Sequence, residues 1–176
     1  QSMIVKAETI IRHLEGRGEV KHNSDDGRMI IRFENHVFWE EWGRSNPELF
    51  NKHFRYSSNK RWQGHRFRTS EQSPWESFHG NQGREWDVLE FARGLSETAA
   101  KMSISMGAAQ IMGFNFRSLG YSNVHEMFDA MNGDLVPQLD GMFEFINNKS
   151  ICINGLRRGD YHAFASGYNG SANTHV

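Results

Sequence analysis

The sequence predicts an α+β fold that is mostly helical, with a small β-hairpin directly after the first helix. Three observations carry this. Apolar residues recur at helical spacing from Val5, Ala7, Ile10, Ile11 and Leu14 at one end to Tyr161, Phe164, Ala165 and Tyr168 at the other. The turn signal Asn23-Ser24-Asp25-Asp26-Gly27 precedes the alternating run Arg28 to Glu34. Three prolines in 176 residues, with many helix-compatible side chains, argue against an all-β sandwich.

The first helix ends at Leu14-Glu15-Gly16-Arg17-Gly18, because glycine supplies the backbone angles of a helix C-terminus. Glu15 thus falls beside the apolar stripe, at the negative end of the helix dipole, where stability alone favours Lys or Arg. A carboxyl held there, half out of water, should keep its proton to a higher pH than ordinary Glu. That suits a general acid. The ordinary alternative is an exposed last-turn Glu. The hairpin follows, pairing Glu19 to His22 with Arg28 to Glu34. Met29, Ile31 and Phe33 share one face of its second strand, and Ile30, Arg32 and Glu34 the other. Glu34 then looks out over the hairpin, or simply pairs with Arg32.

Residues 35 to 54 are aromatic and helical in pattern, with Pro47 marking a helix start. From Phe54 to Gly83 the periodicity fades into a long loop. Residues 44 to 68 carry seven Arg/Lys and one Glu, a balance of 7 − 1 = +6, with Tyr56, Trp62 and Phe67 interleaved. That pattern suits single-stranded nucleic acid. It suits equally a carboxylate-bearing sugar polymer, or a solvated loop whose aromatics enter the core. Arg84 to Arg93 reads as a helix broken at Gly94-Leu95-Ser96. Glu97 to Met112 is apolar nearly all round and predicts a central buried helix, with Gln110 as a buried amide inside it. Asn123 and Glu126 form a capping box. Asp134 and Asp160 cap two further helices.

The length suits one domain with a sizeable core. A net charge of −1 argues against a general nucleic-acid or membrane-surface binder. No apolar run approaches the ~18 residues of a membrane span. Cys152 is the single cysteine, which excludes an internal disulfide and a cysteine metal cluster. Its neighbours Ile151 and Ile153 predict a packing role. The nine histidines show no H-E-x-x-H spacing, so surface or hydrogen-bonded roles are expected of them. His36, two residues past Glu34 on the same strand face, is expected near the site.

Four ordered blocks resemble a lysozyme-like N-acetylmuramidase family of phage endolysins and bacterial cell-wall hydrolases. Leu-Glu-Gly-Arg-Gly at 14–18 resembles its V-E-S-x-G motif. Gly27-Arg28 followed by Ile31-Arg32-Phe33-Glu34-Asn35-His36-Val37-Phe38 resembles its G-R-P-x-x-L-F-E-R-H-x-F strand. Residues 99–115, with Ser103, Ser105, Gly107 and Gln110-Ile111-Met112-Gly113, resemble A-A-x-x-S-x-S-W-G-x-x-Q-I-M-G-x-N. Phe164-Ala165-Ser166-Gly167-Tyr168-Asn169-Gly170 resembles F-A-x-x-Y-N-G. Goose-type lysozymes and soluble lytic transglycosylases share the skeleton. Departures are Gly16 for Ser, Ile30 near the expected Pro, and Met106 for Trp, the last implying a looser cleft wall.

The resemblance implies a lysozyme-like fold and a single catalytic domain over residues 1–176, cut from a longer chain. It implies cleavage between N-acetylmuramic acid and N-acetylglucosamine, with Glu15 as acid and Glu34 as the best second carboxylate. Ser105, Gln110, Ile111, Tyr168 and Asn169 are the expected substrate-binding residues. The expected partner is a peptidoglycan glycan strand at the bacterial wall, with an immunity or inhibitor protein besides. Neither nucleic acid nor membrane is expected, nor any metal or cofactor, and the chain should act as a monomer. A lytic transglycosylase, or a non-catalytic glycan or nucleic-acid module, is the alternative.

Overall fold

The computed structural model describes residues 2–17 and 23–170, with side chains from residue 7 onward. Helix α1 (Ser2–Gly16) packs on the later helix α7 (Leu135–Asn147). Its stripe is only partly covered: Ala7, Ile11 and Leu14 are half-buried, but Ile10 is 59% exposed. The expected first hairpin strand, residues 19–22, lies outside the described residues. What is described is the turn itself, closed by Ser24 N–H to Arg28 O (2.7 Å) and an isolated bridge between Asn23 and Met29.

Strand β1 (Ile31–Phe33) follows the turn. It pairs antiparallel with β4 (Ile104–Met106), which pairs with β5 (Ile111–Met112), giving a three-stranded sheet in the order β1-β4-β5. The alternation on β1 holds: Met29, Ile31 and Phe33 are fully buried and Arg32 faces out. Helix α4 (Gln82–Leu95) closes the other edge of β1. The Gln82 amide accepts from Ile31 N–H and donates to Ile31 O, both at 2.9 Å, and Glu85 accepts from Phe33 N–H at 2.8 Å. Side chains thus satisfy backbone groups that a further strand would otherwise take.

The central helix expected over 97–112 is overturned. Helix α5 stops after Glu97–Met102, and the chain then turns into β4 and β5. A run that is apolar on every face is equally compatible with a buried strand, so periodicity alone cannot separate the two. The separating signal is the Ser103-Ile104-Ser105-Met106-Gly107 alternation, closed by Gly107 at φ +67°. Gln110 is consequently exposed, at φ +50°, rather than buried in a helix.

Helices α2 (Asn35–Glu41) and α3 (Pro47–His53) flank a 3₁₀ turn, as the aromatic pattern predicts. The long loop after them contributes to the core. It forms the hairpin β2 (Phe54–Arg55) and β3 (Arg66–Phe67), and buries Phe54, His65, Phe67 and Phe78. Its charge is largely met within the structure. Arg44 and Arg61 pair with Glu40, Lys52 pairs with Glu71, and Arg55 and Arg68 lie 4.0 and 4.4 Å over Trp75. Helix α6 (Val124–Gly133) starts at the expected box, Asn123 accepting from Glu126 N–H at 2.9 Å. Helix α8 (Ser150–Arg158) is an addition to the expected set. It packs on α9 (Tyr161–Asn169), burying Cys152, with Asp160 capping α9 through Ala163 N–H at 2.9 Å.

Two contacts hold the helical layer to the sheet. Gly113 lies so close to the Lys101 carbonyl that a Cβ there would run into fixed backbone. Tyr168 donates its hydroxyl to Ala109 O at 2.9 Å, fixing α9 against the β4–β5 turn. Burial pushes the Tyr168 phenol up to about 12. Gly113→Ala should lower stability by about 2–3 kcal/mol in urea unfolding, since the clash is with main chain and no side chain can move aside. Tyr168 is neutral in the fold up to about 12, but ionises near pH 10 when unfolded. Its contribution is present below pH ~10 and is lost as pH rises towards ~12. Stability of the wild type should therefore fall across that window by more than that of Tyr168→Phe, the difference being on the order of 2 kcal/mol.

Candidate active site

The site is built outward from Glu34. Glu34 follows β1 and occupies the N-cap position of α2, but its side chain makes no capping bond. The carboxylate turns instead between two groups. Oε1 accepts from Arg32 Nε at 2.8 Å, and Oε2 lies 3.4 Å from His36 Nδ1 and 3.5 Å from His65 Nδ1. Only 13% of the side chain is exposed. Burial alone would raise its pKa, but His36, His65 and Arg32 outweigh it and hold the carboxyl below the usual range. Glu34 is thus an anion at neutral pH. His36 lies on α2 rather than on the strand, yet still reaches Glu34.

His65 arrives from far along the chain, and Asn35 explains how. Asn35 is fully buried, and its Nδ2 donates to Arg55 O (2.7 Å) and Arg66 O (2.9 Å). One amide therefore staples both strands of the β2–β3 hairpin to the start of α2. His65, just before β3, is carried against Glu34.

Beside Glu34 runs a cleft of about 580 Å³. Arg32 stands on β1 and Glu34 directly after it, while Ser105, Gln110, Ile111 and Met112 come from the β4–β5 hairpin. Phe145, Lys149, Tyr168, Asn169 and Gly170 come from the helical layer. Gln110 clamps the hairpin turn: Oε1 accepts from Ser105 Oγ and Nε2 donates to Gly107 O, both at 2.8 Å. Its left-handed backbone presents that amide at the cleft surface. Phe145 packs edge-on against Tyr168 at 5.3 Å, and Lys149 Nζ lies 3.9 Å over the Phe145 ring. Lys149 also donates to Gly167 O at 3.0 Å, steadying the end of α9.

Of the residues singled out from sequence, Glu34, Ser105, Gln110, Ile111, Tyr168 and Asn169 line this one cleft. Glu15 does not line it. It lies half-buried in the last turn of α1. Met106 is also absent from the lining. It is 1% exposed and sits in the core, so the expected loosening of a cleft wall does not follow. Sequence reasoning missed Phe145 and Lys149, which sit around the unforeseen break between α7 and α8. It also missed the approach of His65 to Glu34, since the bond that brings it there comes from Asn35. Among the described residues, Glu34, His36 and His65 form a group with metal-ligand geometry.

Comparison with known proteins bears on this arrangement. No curated protein matches the chain. Among solved structures, the endolysin of Burkholderia phage AP3 is similar, with a TM-score of 0.66 and 25% identity. The match covers 86% of this chain and 53% of that one, so the chain spans about half the length of that relative. The mostly helical α+β architecture is thus shared with an endolysin. The family model Muramidase, described as N-acetylmuramidase, matches residues 5–176. By that match over nearly its whole length, the chain belongs to the N-acetylmuramidase family.

Proposed function

We propose that the chain is a peptidoglycan hydrolase that cleaves the β-1,4 bond between N-acetylmuramic acid and N-acetylglucosamine. The observation that carries this is the cleft itself. It gathers an ionised carboxylate, a clamped amide and an aromatic wall from segments far apart in sequence, in a chain of the muramidase family. In this reading a glycan strand lies along the cleft. Tyr168 and Phe145 face the sugar rings, Ser105, Gln110 and Asn169 offer polar contacts, and Ile111 forms part of the floor.

Cleavage needs a proton on the leaving oxygen and support for an oxocarbenium-like transition state. Glu34, held as an anion, suits the second of these, activating water or stabilising positive charge on the ring. Glu15, the acid that the motif resemblance implies, is the proposed proton donor, which requires the glycan strand to run on from the cleft to the end of α1. The reading places the chain's action at the bacterial wall. It admits an inhibitor protein that fills the cleft, and a monomer as the working form. An anion beside the cleft favours hydrolysis over the transglycosylase route, in which the muramic acid's own hydroxyl attacks and no base for water is needed.

The test is digestion of purified peptidoglycan with mass spectrometry of the products. Glu15→Gln should slow cleavage by about 10²–10⁴-fold, the usual worth of a positioned acid. Glu34→Gln should leave glycan binding intact and lower the turnover rate. Reducing ends support hydrolysis. Anhydro ends identify a transglycosylase instead. Binding without cleavage, unchanged in Glu15→Gln, overturns the enzymatic reading.

A further inference from the structure

Glu34, His36 and His65 each offer one donor atom within 4.8 Å of the other two. Glu34 Oε2 lies 3.4 Å from His36 Nδ1 and 3.5 Å from His65 Nδ1. Metal bonds of about 2.0–2.1 Å in a tetrahedral shell put neighbouring donors roughly 3.3–3.4 Å apart. The two carboxylate–imidazole spacings match that, and the two imidazole donors lie within 4.8 Å of each other.

The groups around these donors point the same way. His65 Nε2 lies 2.8 Å from Arg61 O, and a carbonyl only accepts, so the ring proton belongs on Nε2 and Nδ1 is an acceptor, which takes Asn35 N–H at 3.4 Å and lies 3.5 Å from Glu34 Oε2. A histidine tied through its outer nitrogen to a backbone carbonyl is the usual support of a metal ligand. Glu34 is held in the same manner, its outer oxygen engaged by Arg32 at 2.8 Å. Inside the group, Glu34 Oε2 and His36 Nδ1 are both buried, and neither makes a hydrogen bond of sound geometry. A cation between them would satisfy both, as buried polar atoms normally are satisfied. Asn35 fixes the frame, so the donors do not have to be gathered from mobile segments. The His36 side chain is 24% exposed, which gives an ion a way in and leaves a position for water.

We propose that Glu34, His36 and His65 bind one divalent transition-metal ion, Zn²⁺ by preference. Two imidazoles and one carboxylate suit zinc, whereas magnesium and calcium favour shells made of oxygen. The site borders the cleft without depending on the proposed hydrolysis. An ion bound there engages Glu34 Oε2, leaving Oε1 with Arg32 on the cleft side.

The experiment is calorimetric titration of the chelator-treated chain with ZnCl₂, with Co²⁺ absorption reporting the ligand shell. One equivalent should bind saturably, and Tm should rise with metal concentration. His36→Ala should weaken that binding about 100-fold, at or beyond the upper end of what losing a supporting group costs. His36→Cys, which restores a ligand, should recover it. His36 is only half-buried, so both variants should fold, and circular dichroism checks this. His53→Ala controls for chelation elsewhere and should leave the binding unchanged. Absence of saturable binding overturns the proposal. So does binding that persists unaltered in His36→Ala, because other histidines then hold the ion. The metal-binding readout is separate from the hydrolysis assay, so failure of one is distinguishable from failure of the other.

Discussion

A strand of three residues cannot hold itself in place, and the cleft hangs on one such strand. β1 is fixed on both edges by different means. On one side β4 supplies an ordinary antiparallel ladder, with Arg32 opposite Ser105. On the other, α4 supplies side chains: Gln82 takes both polar groups of Ile31, and the buried Glu85 takes Phe33 N–H. Each of these bonds is worth about 1 kcal/mol net, but leaving a buried amide unpaired costs about 1–3 kcal/mol. The arrangement is therefore strongly favoured over any slip in register. A slip by one residue would also turn Ile31 and Phe33 to solvent and bring Arg32 into the core. Arg32 and Glu34 inherit their positions from that constraint.

The same economy of parts recurs around the site. Asn35 is one residue, yet it decides where the β2–β3 hairpin sits and so which histidine meets Glu34. Gln110 is one residue, yet it ties together the turn that separates β4 from β5. Both amides use oxygen or nitrogen atoms to meet backbone or hydroxyl groups that short strands leave over. Small sheets with few ladder bonds depend on such side-chain bonds. That dependence explains why polar residues, rather than the apolar core, determine the outline of the cleft.

Legibility from the sequence followed the range of the interactions. Local signals were readable: Asp160 and Asn123 as caps, Pro47 as a helix start, the alternation of Met29, Ile31 and Phe33. The resemblance picked out Ser105, Gln110 and Tyr168, which the fold brings to one cleft although more than sixty residues separate the first from the last. Failures arose where the deciding interaction is distant. The residues 97–112 look helical until Ile104 and Met106 are seen pairing with Phe33 and Ile31. Ile10 looks like core until the packing of α1 on α7 leaves it outside. The loop's basic charge looks like a binding surface until Glu40, Glu71 and Trp75 are seen to meet it. For Ile104 and Met106 the deciding partners lie about seventy residues away, and for the loop they depend on how it folds back on itself.

The state of Glu34 constrains how the proposed chemistry must be divided. A group whose neighbours favour its anion cannot also be the reservoir of the proton that leaves with the departing sugar. If the cleft cleaves a glycosidic bond, the acid must stand in a different environment, away from Arg32 and the two histidines. The end of α1 differs in the required sense, because the helix dipole there opposes negative charge. The same division assigns the two oxygens of Glu34 different surroundings. Oε1 shares the cleft side with Arg32, while Oε2 belongs to the buried imidazole group. Anything that binds Oε2, proton or metal, alters the charge Oε1 presents to substrate. Activity and occupancy of the histidine group are therefore linked through one carboxylate, and that linkage does not require the two sites to touch a common ligand.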